Sequence, residues 1–233
     1  MSKATFLFAV FLLVCLFLQS CYDIDNNRRV LVTGNLVDEN GDPVSGITVE
    51  SRGSNTVLGF HTSEENGDFS FTSIESNASD FSIYINPEIA QDTLYASSTY
   101  INQENFSESP VDNHKRSQNL YDLGNVTLRQ IGFLEIAVNR TSGTLDTLNY
   151  TINFSETSCQ NYFREEQIDT LRSLCFIKVE RGGSILPESE DLKIYHKTLK
   201  NSSAIFTYRI NSGKKEQIII PIDQYNTRYV FEF

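Results

Sequence analysis

Four cysteines and three histidines are the side chains of this 233-residue chain most suited to chemistry, and their spacing divides them. Cys15 lies inside an apolar run, Cys21 just after it, and Cys159 and Cys175 stand far along the chain as a pair. His61-Thr62-Ser63-Glu64 is an H-x-x-E, with His196 as a distant third member of a zinc-type ligand set. A catalytic zinc needs three ligands within about 2 Å of the metal and one open position. His61 falls on a short strand, Glu64 at the edge of its turn and His196 in the other half of the chain, so the three are not expected to converge. His114 sits beside Lys115 and Arg116 in a polar stretch, a solvated position. Neither Cys159 nor Cys175 has a neighbouring histidine, and no G-x-S-x-G, P-loop or dinucleotide fingerprint occurs. Glu165-Glu166 and Glu188 with Glu190-Asp191 read as solvated surface, because a glycosidase holds its two carboxyls in a shaped cleft. These residues predict a chain that is not an enzyme and takes no cofactor.

The residues that remain are best placed for anchoring. Lys3 followed by the apolar run Phe6 to Leu18 has the form of a secretory leader, shorter than the roughly 20 residues a spanning helix needs. The run ends Leu18-Gln19-Ser20-Cys21, which resembles the lipobox of bacterial lipoproteins. The resemblance implies that residues 1–20 are removed and that the Cys21 thiol is acylated. The chain would then be held at the outer membrane by lipid, facing the cell surface. Residues 21–28 form a tether in which Asp23 and Asp25 resemble a surface-export signal of some Gram-negative lipoproteins; a plain polar spacer is the other reading.

Charge narrows the partners. The chain has 19 Lys and Arg against 30 Asp and Glu, and one of those cations, Lys3, belongs to the leader. So acidic a surface repels phosphates, which excludes nucleic acid as a partner. The lack of any Trp weighs against a sugar-stacking platform, although Tyr84, Tyr95, Tyr100 and Tyr121 offer substitutes. Cys159 and Cys175 are an even pair in an oxidising compartment, predicted to form a disulfide worth about 3 kcal/mol, with two buried thiols as the alternative. Asp-Thr-Leu recurs at Asp92, Asp146 and Asp169, resembling a bacterial O-glycosylation tripeptide that would place sugar on Thr93, Thr147 and Thr170.

The elements that must position these residues are strands. Val30 to Val37, Ile47 to Ser51, Leu58 to Thr62 and Phe69-Ser70-Phe71 alternate apolar and polar, as half-buried strands do. Asn40-Gly41 and Asn66-Gly67 supply the positive φ of tight hairpins. The order Val32-Thr33-Gly34-Asn35-Leu36-Val37-Asp38-Glu39-Asn40-Gly41-Asp42-Pro43-Val44-Ser45-Gly46-Ile47-Thr48-Val49 resembles the carboxypeptidase regulatory-like domain. Gly59, Thr62, Gly67, Phe69-Ser70-Phe71 and a closing strand at Asp122 to Leu128 fit the same pattern. That resemblance implies a transthyretin-like β-sandwich over 29–129, a binding or scaffolding module without an active site. The stretch from Pro87 to Tyr121 departs from it and reads as a long loop. The H-x-x-E…H order is that of metallocarboxypeptidases, but their α/β catalytic domain would need some 300 further residues.

From Ile131 the alternation restarts at Phe133 to Val138, Leu148 to Phe154, Cys175 to Glu180, Ala204 to Ile210, Gln217 to Ile220 and Tyr229 to Phe233. Short strands at this spacing predict a second, Ig-like sandwich over 131–233. Only Tyr162 to Leu174 is suited to a short helix, which the Cys159–Cys175 bridge would pin. The aromatic end, Tyr229 to Phe233, resembles the assembly signal of outer-membrane barrels, whose strands of about 10 residues are longer than these. The sequence thus predicts an all-β chain of two tandem sandwiches behind a cleaved lipoprotein leader. Two functions fit: a surface binding module, capturing glycan or nutrient beside a TonB-dependent outer-membrane receptor, or a structural or adhesive protein with protein partners.

Overall fold

The computed structural model describes residues 27–54, 56–76, 80–87, 104–108, 119–141, 145–164 and 167–233. Every regular element among them is a strand. The first sandwich stacks a three-stranded sheet, β4-β1-β7, on a larger sheet in the order β11-β10-β6-β5-β2-β3. In the small sheet β1 (Asn27–Val37) runs antiparallel to β4 (Asp68–Ser76) and parallel to β7 (Leu120–Thr127). In the large sheet β2 (Thr48–Gly53) pairs with β3 (Thr56–Thr62) and β5 (Phe81–Ile85), and β5 with β6 (Glu104–Glu108). Alternation explains the layers: Val30, Val32, Leu36, Phe69 and Phe71 turn inward from one sheet to meet Val49, Phe81, Ile83, Ile85 and Phe106 of the other.

Both Asn-Gly turns take the backbone that the sequence predicts, with Gly41 at φ +86° and Gly67 at +84°. Each closes a tight turn, but the strands it links lie in different sheets, so neither makes the expected hairpin. Ser63 holds this arch: its buried hydroxyl donates to Val44 O (2.9 Å) and accepts from Ile47 N (3.0 Å).

The second sandwich stacks β13-β9-β15-β16 on β14-β8-β17. Its core joins Leu134, Ile136 and Val138 of β8 (Ile131–Asn139) to Ile152 of β9 (Leu148–Ser155) and Phe206 of β15 (Ser202–Ile210). The remaining strands are β13 (Lys178–Ile185), β14 (Leu192–Leu199), β16 (Glu216–Ile222) and β17 (Asn226–Glu232). The strand expected from Cys175 to Glu180 is broken at Phe176, whose φ of +53° ends one element before β13 begins.

The predicted helix over Tyr162 to Leu174 is absent. Its residues form β10 (Cys159–Arg164), β11 (Gln167–Ile168) and β12 (Leu174–Cys175), with β11 and β12 folding back antiparallel on β10. On its other side β10 runs parallel to β6, so a hairpin from the second half of the chain extends the first sandwich's sheet. Helical propensity loses here because Phe163 gains a core: it lies against Phe106 and Tyr121, each at 5.6 Å between ring centroids.

Candidate functional site

The hairpin β10–β12 is where the two halves meet, and the molecule's most distinctive surface is built around it. Its closing pair is Cys159 opposite Cys175, and the two are disulfide-bonded. Between β11 and β12 the chain makes a turn organised by Asp169. The Asp169 carboxylate accepts from Leu171 N (3.1 Å) and Arg172 N (3.3 Å), while its carbonyl accepts from Ser173 Oγ (2.8 Å). Asp169 N in turn donates to Tyr162 O at 2.7 Å, tying the turn to β10. Asp is suited to this place because its short acid reaches the backbone N–H groups two and three residues on.

One side of the hairpin walls an open groove of about 510 Å³, whose other wall is β7 and the Arg129 segment of the first sandwich. Its floor is apolar, from Phe106, Leu123 and Val126, all buried. Its rim is polar: Asn125, Asn161 and the Arg129–Glu39 ion pair at 3.0 Å. Arg129 also rests over the Phe176 ring, 5.2 Å from its centroid. Lys200 Nζ donates to Gln130 Oε1 at 2.8 Å nearby, which helps to hold the junction. Grooves of this size, apolar with a few convergent polar groups, are the usual form of a binding site.

The other side of the hairpin joins the outer face of the large sheet. Pairing across six strands sets Phe60, Glu50, Tyr84, Asn105, Gln160 and Leu174 in one row. Glu50 is buried beneath this face in an ion pair with Arg52, whose guanidinium lies 4.8 Å over the Tyr84 ring. A smaller recess of about 290 Å³ is lined there by Tyr84, Asn105, Gln160, Leu174 and Ile177.

The other residues singled out by sequence are dispersed. Cys21, Asp23, Asp25, Thr93, Tyr95, Tyr100 and His114 lie outside the described residues. His61 is on β3 of the first sandwich, Glu64 is exposed in the turn that follows, and His196 is on β14 of the second. Among the described residues no three His, Cys, Asp or Glu side chains gather as a metal site. His196 instead stacks on Phe154 at 4.3 Å, and burial, then the nearby Arg181 charge, holds its imidazole below the usual range. Thr147 is half-buried before β9, and Thr170 is exposed in the Asp169 turn. Of the tyrosines offered for stacking, Tyr121 is core, against Phe81 at 4.7 Å, whereas Tyr84 faces outward. Sequence reading missed Asn105, Gln160 and Leu171. No alternation marked β6 or the start of β10 at Gln160, and the Asp169 turn lay inside the expected helix.

No protein-family profile matches the chain, and no curated relative does. Solved structures that resemble it include the Bacillus anthracis TIE protein, at 14% identity and TM-score 0.33 over 88% of this chain and 33% of that one. The tip fimbrial protein Mfa3 from Porphyromonas gingivalis has 14% identity and TM-score 0.28, with 85% of each chain covered. A putative cell adhesion protein from Bacteroides ovatus has 10% identity and TM-score 0.29, over 88% of this chain and 92% of that one. The chain thus spans a third of the TIE protein and 62% of a streptococcal ancillary pilin that it also resembles.

Proposed function

We propose that this chain is a non-catalytic cell-surface protein with a structural or adhesive role, anchored by lipid on Cys21, and that it engages macromolecular partners at the hairpin junction. The observation that carries this reading is the junction itself. A groove with an apolar floor and a charged rim stands beside a disulfide-closed turn that holds Leu171 almost wholly in solvent. An apolar anchor beside an apolar recess, each edged by charge, has the composition of a protein-recognition surface.

Cells displaying the full chain test it. They should be retained on mucin- or fibronectin-coated surfaces several-fold above cells carrying Cys21→Ser, which should also lose palmitate labelling. Equal retention on every coating would sink the adhesive reading, and labelled Cys21→Ser would sink the anchor.

A second reading, glycan capture beside an outer-membrane receptor, is favoured by the row Tyr84, Asn105 and Gln160 on the open sheet face. Hydroxyl and amide groups on a flat sheet suit the hydroxyls of a neutral sugar. Binding of neutral oligosaccharides lost in Tyr84→Ala and Gln160→Ala would select it over the first.

A further inference from the structure

The second sandwich carries a recess on its outer face, towards the end of β9 away from the hairpin. There β9 pairs with β15, setting Thr151 opposite Thr207 and Asn149 opposite Arg209. Tyr150, Ile152, Phe206 and Tyr208 pack on the core, so alternation points these four side chains outward. With Lys215, from the turn between β15 and β16, they line a recess of about 230 Å³. On the β13 side Gly182 lies beside Thr151 and Ser184 beside Asn149. Gly182 has no side chain to block that approach, and a Cβ there would press on Tyr150 O at 2.8 Å.

The charge of this recess is one-sided. Arg209 and Lys215 are both exposed, and no carboxylate is among the lining residues. Among the described residues neither cation is in an ion pair. Acids outnumber cations by 30 to 19 along the chain, so partners are not scarce. Glu216, next to Lys215, pairs opposite Tyr208 and so lies on the other side of the sheet, accepting from the Tyr208 hydroxyl at 2.7 Å. Glu180 shares the outer face, but two rows from Arg209, where it accepts from Asn153 at 3.0 Å. Two cations beside one recess repel each other, and an anion seated between them relieves that.

The groups between the cations say what the anion would belong to. Thr151 and Thr207 offer hydroxyls that donate and accept, and Ser184 Oγ donates to Asn149 Oδ1 at 2.7 Å, leaving the Asn149 amide to donate. No large apolar side chain is exposed in the recess, so it has no place for an apolar peptide residue. A carboxylate carried on a ring of hydroxyls meets every one of these groups. We propose that this recess, separate from the hairpin junction, binds one acidic sugar residue of a polysaccharide, its carboxylate between Arg209 and Lys215 and its hydroxyls on Asn149, Thr151 and Thr207. The Arg209 guanidinium can grip a carboxylate by two parallel bonds, while Lys215 adds a point charge.

Calorimetric titration of the full chain, purified from cell envelopes in detergent, with trigalacturonate tests this. Saturable binding of one trisaccharide per chain is expected. The methyl-esterified trisaccharide, with the same rings and no charge, should bind about tenfold more weakly or worse. Arg209→Gln and Lys215→Gln should each weaken binding about tenfold and leave the melting temperature unchanged, because both side chains are exposed. Thr207→Tyr, at an outward strand position that accepts an aromatic, should fill the recess and abolish binding. No binding with up to about 10 mM trigalacturonate overturns the proposal. So does a methyl ester that binds as tightly as the acid, or an affinity indifferent to both Arg209→Gln and Lys215→Gln. Inorganic phosphate that displaces the trisaccharide at equal concentration overturns it in favour of a general anion site. A glutamate-rich peptide that binds more tightly than the trisaccharide, and loses that binding in Arg209→Gln, overturns it in favour of an acidic protein partner.

Discussion

His196 shows how far a residue's type can mislead. Its spacing from His61 and Glu64 suits a zinc ligand set, yet its ring lies on Phe154 and its Nε2 has no hydrogen-bond partner. Nothing in one-dimensional spacing shows that two of the three residues face different cores. The packing has a consequence in acid. Burial, reinforced by the Arg181 charge, lowers the imidazole's proton affinity in the folded chain, while the unfolded chain titrates near 6.5. As pH falls below about 6.5, the unfolded state takes up a proton that the native state refuses, so stability is lost across the window down to the lowered folded value. Thermal melts between neutral pH and pH 5 should show a smaller acid loss for His196→Gln than for the wild type. An equal loss in both would mean that His196 is not the titrating group.

At the scale of elements, alternation made most of both sandwiches legible, because a strand with one wet face writes a period of two into its sequence. The core positions of β1, β8, β9 and β15 could be read directly. The hairpin β10–β12 could not, since its faces serve two unlike surroundings and its middle carries Arg164, Glu165 and Glu166. The disulfide was legible as a pair, but the unit it steadies was not. Phe163, one strand position from the polar Arg164, belongs to the first sandwich's core with Phe106 and Tyr121. Phe163→Ala should therefore cost about 3–5 kcal/mol. Opening the bridge, which closes a sequence separation of 16, should cost about 3 kcal/mol. Both losses fall on the first sandwich, although residues 159–175 come from the half of the chain that builds the second. Hydrogen exchange locates them: on reduction, protection should fall first in β5 and β6. A loss confined to β14 and β17 would contradict this assignment.

For the whole molecule, the junction decides whether two sandwiches are two folding units. The sequence divides the chain near Gln130, with no Pro- or Ser-rich linker, and the strand pattern restarts there. Yet β6 has β5 on one side and β10 on the other, so residues 27–130 by themselves would expose an unpaired strand edge and leave Phe106 and Tyr121 without Phe163. An open edge beside a breached core loses both hydrogen bonds and apolar burial, and it invites aggregation. The first sandwich should thus depend on residues 159–175 even though they come later in the chain, and the full chain should unfold in one transition. A fragment of residues 27–130 should show no cooperative melt or should associate through the free edge of β6. Adding the oxidised 159–175 peptide should restore a cooperative melt, because a strand supplied in trans can pair with that edge as β10 does in the intact chain. A fragment that melts cooperatively at the full chain's temperature without the peptide would show that the hairpin decorates the first sandwich without completing it.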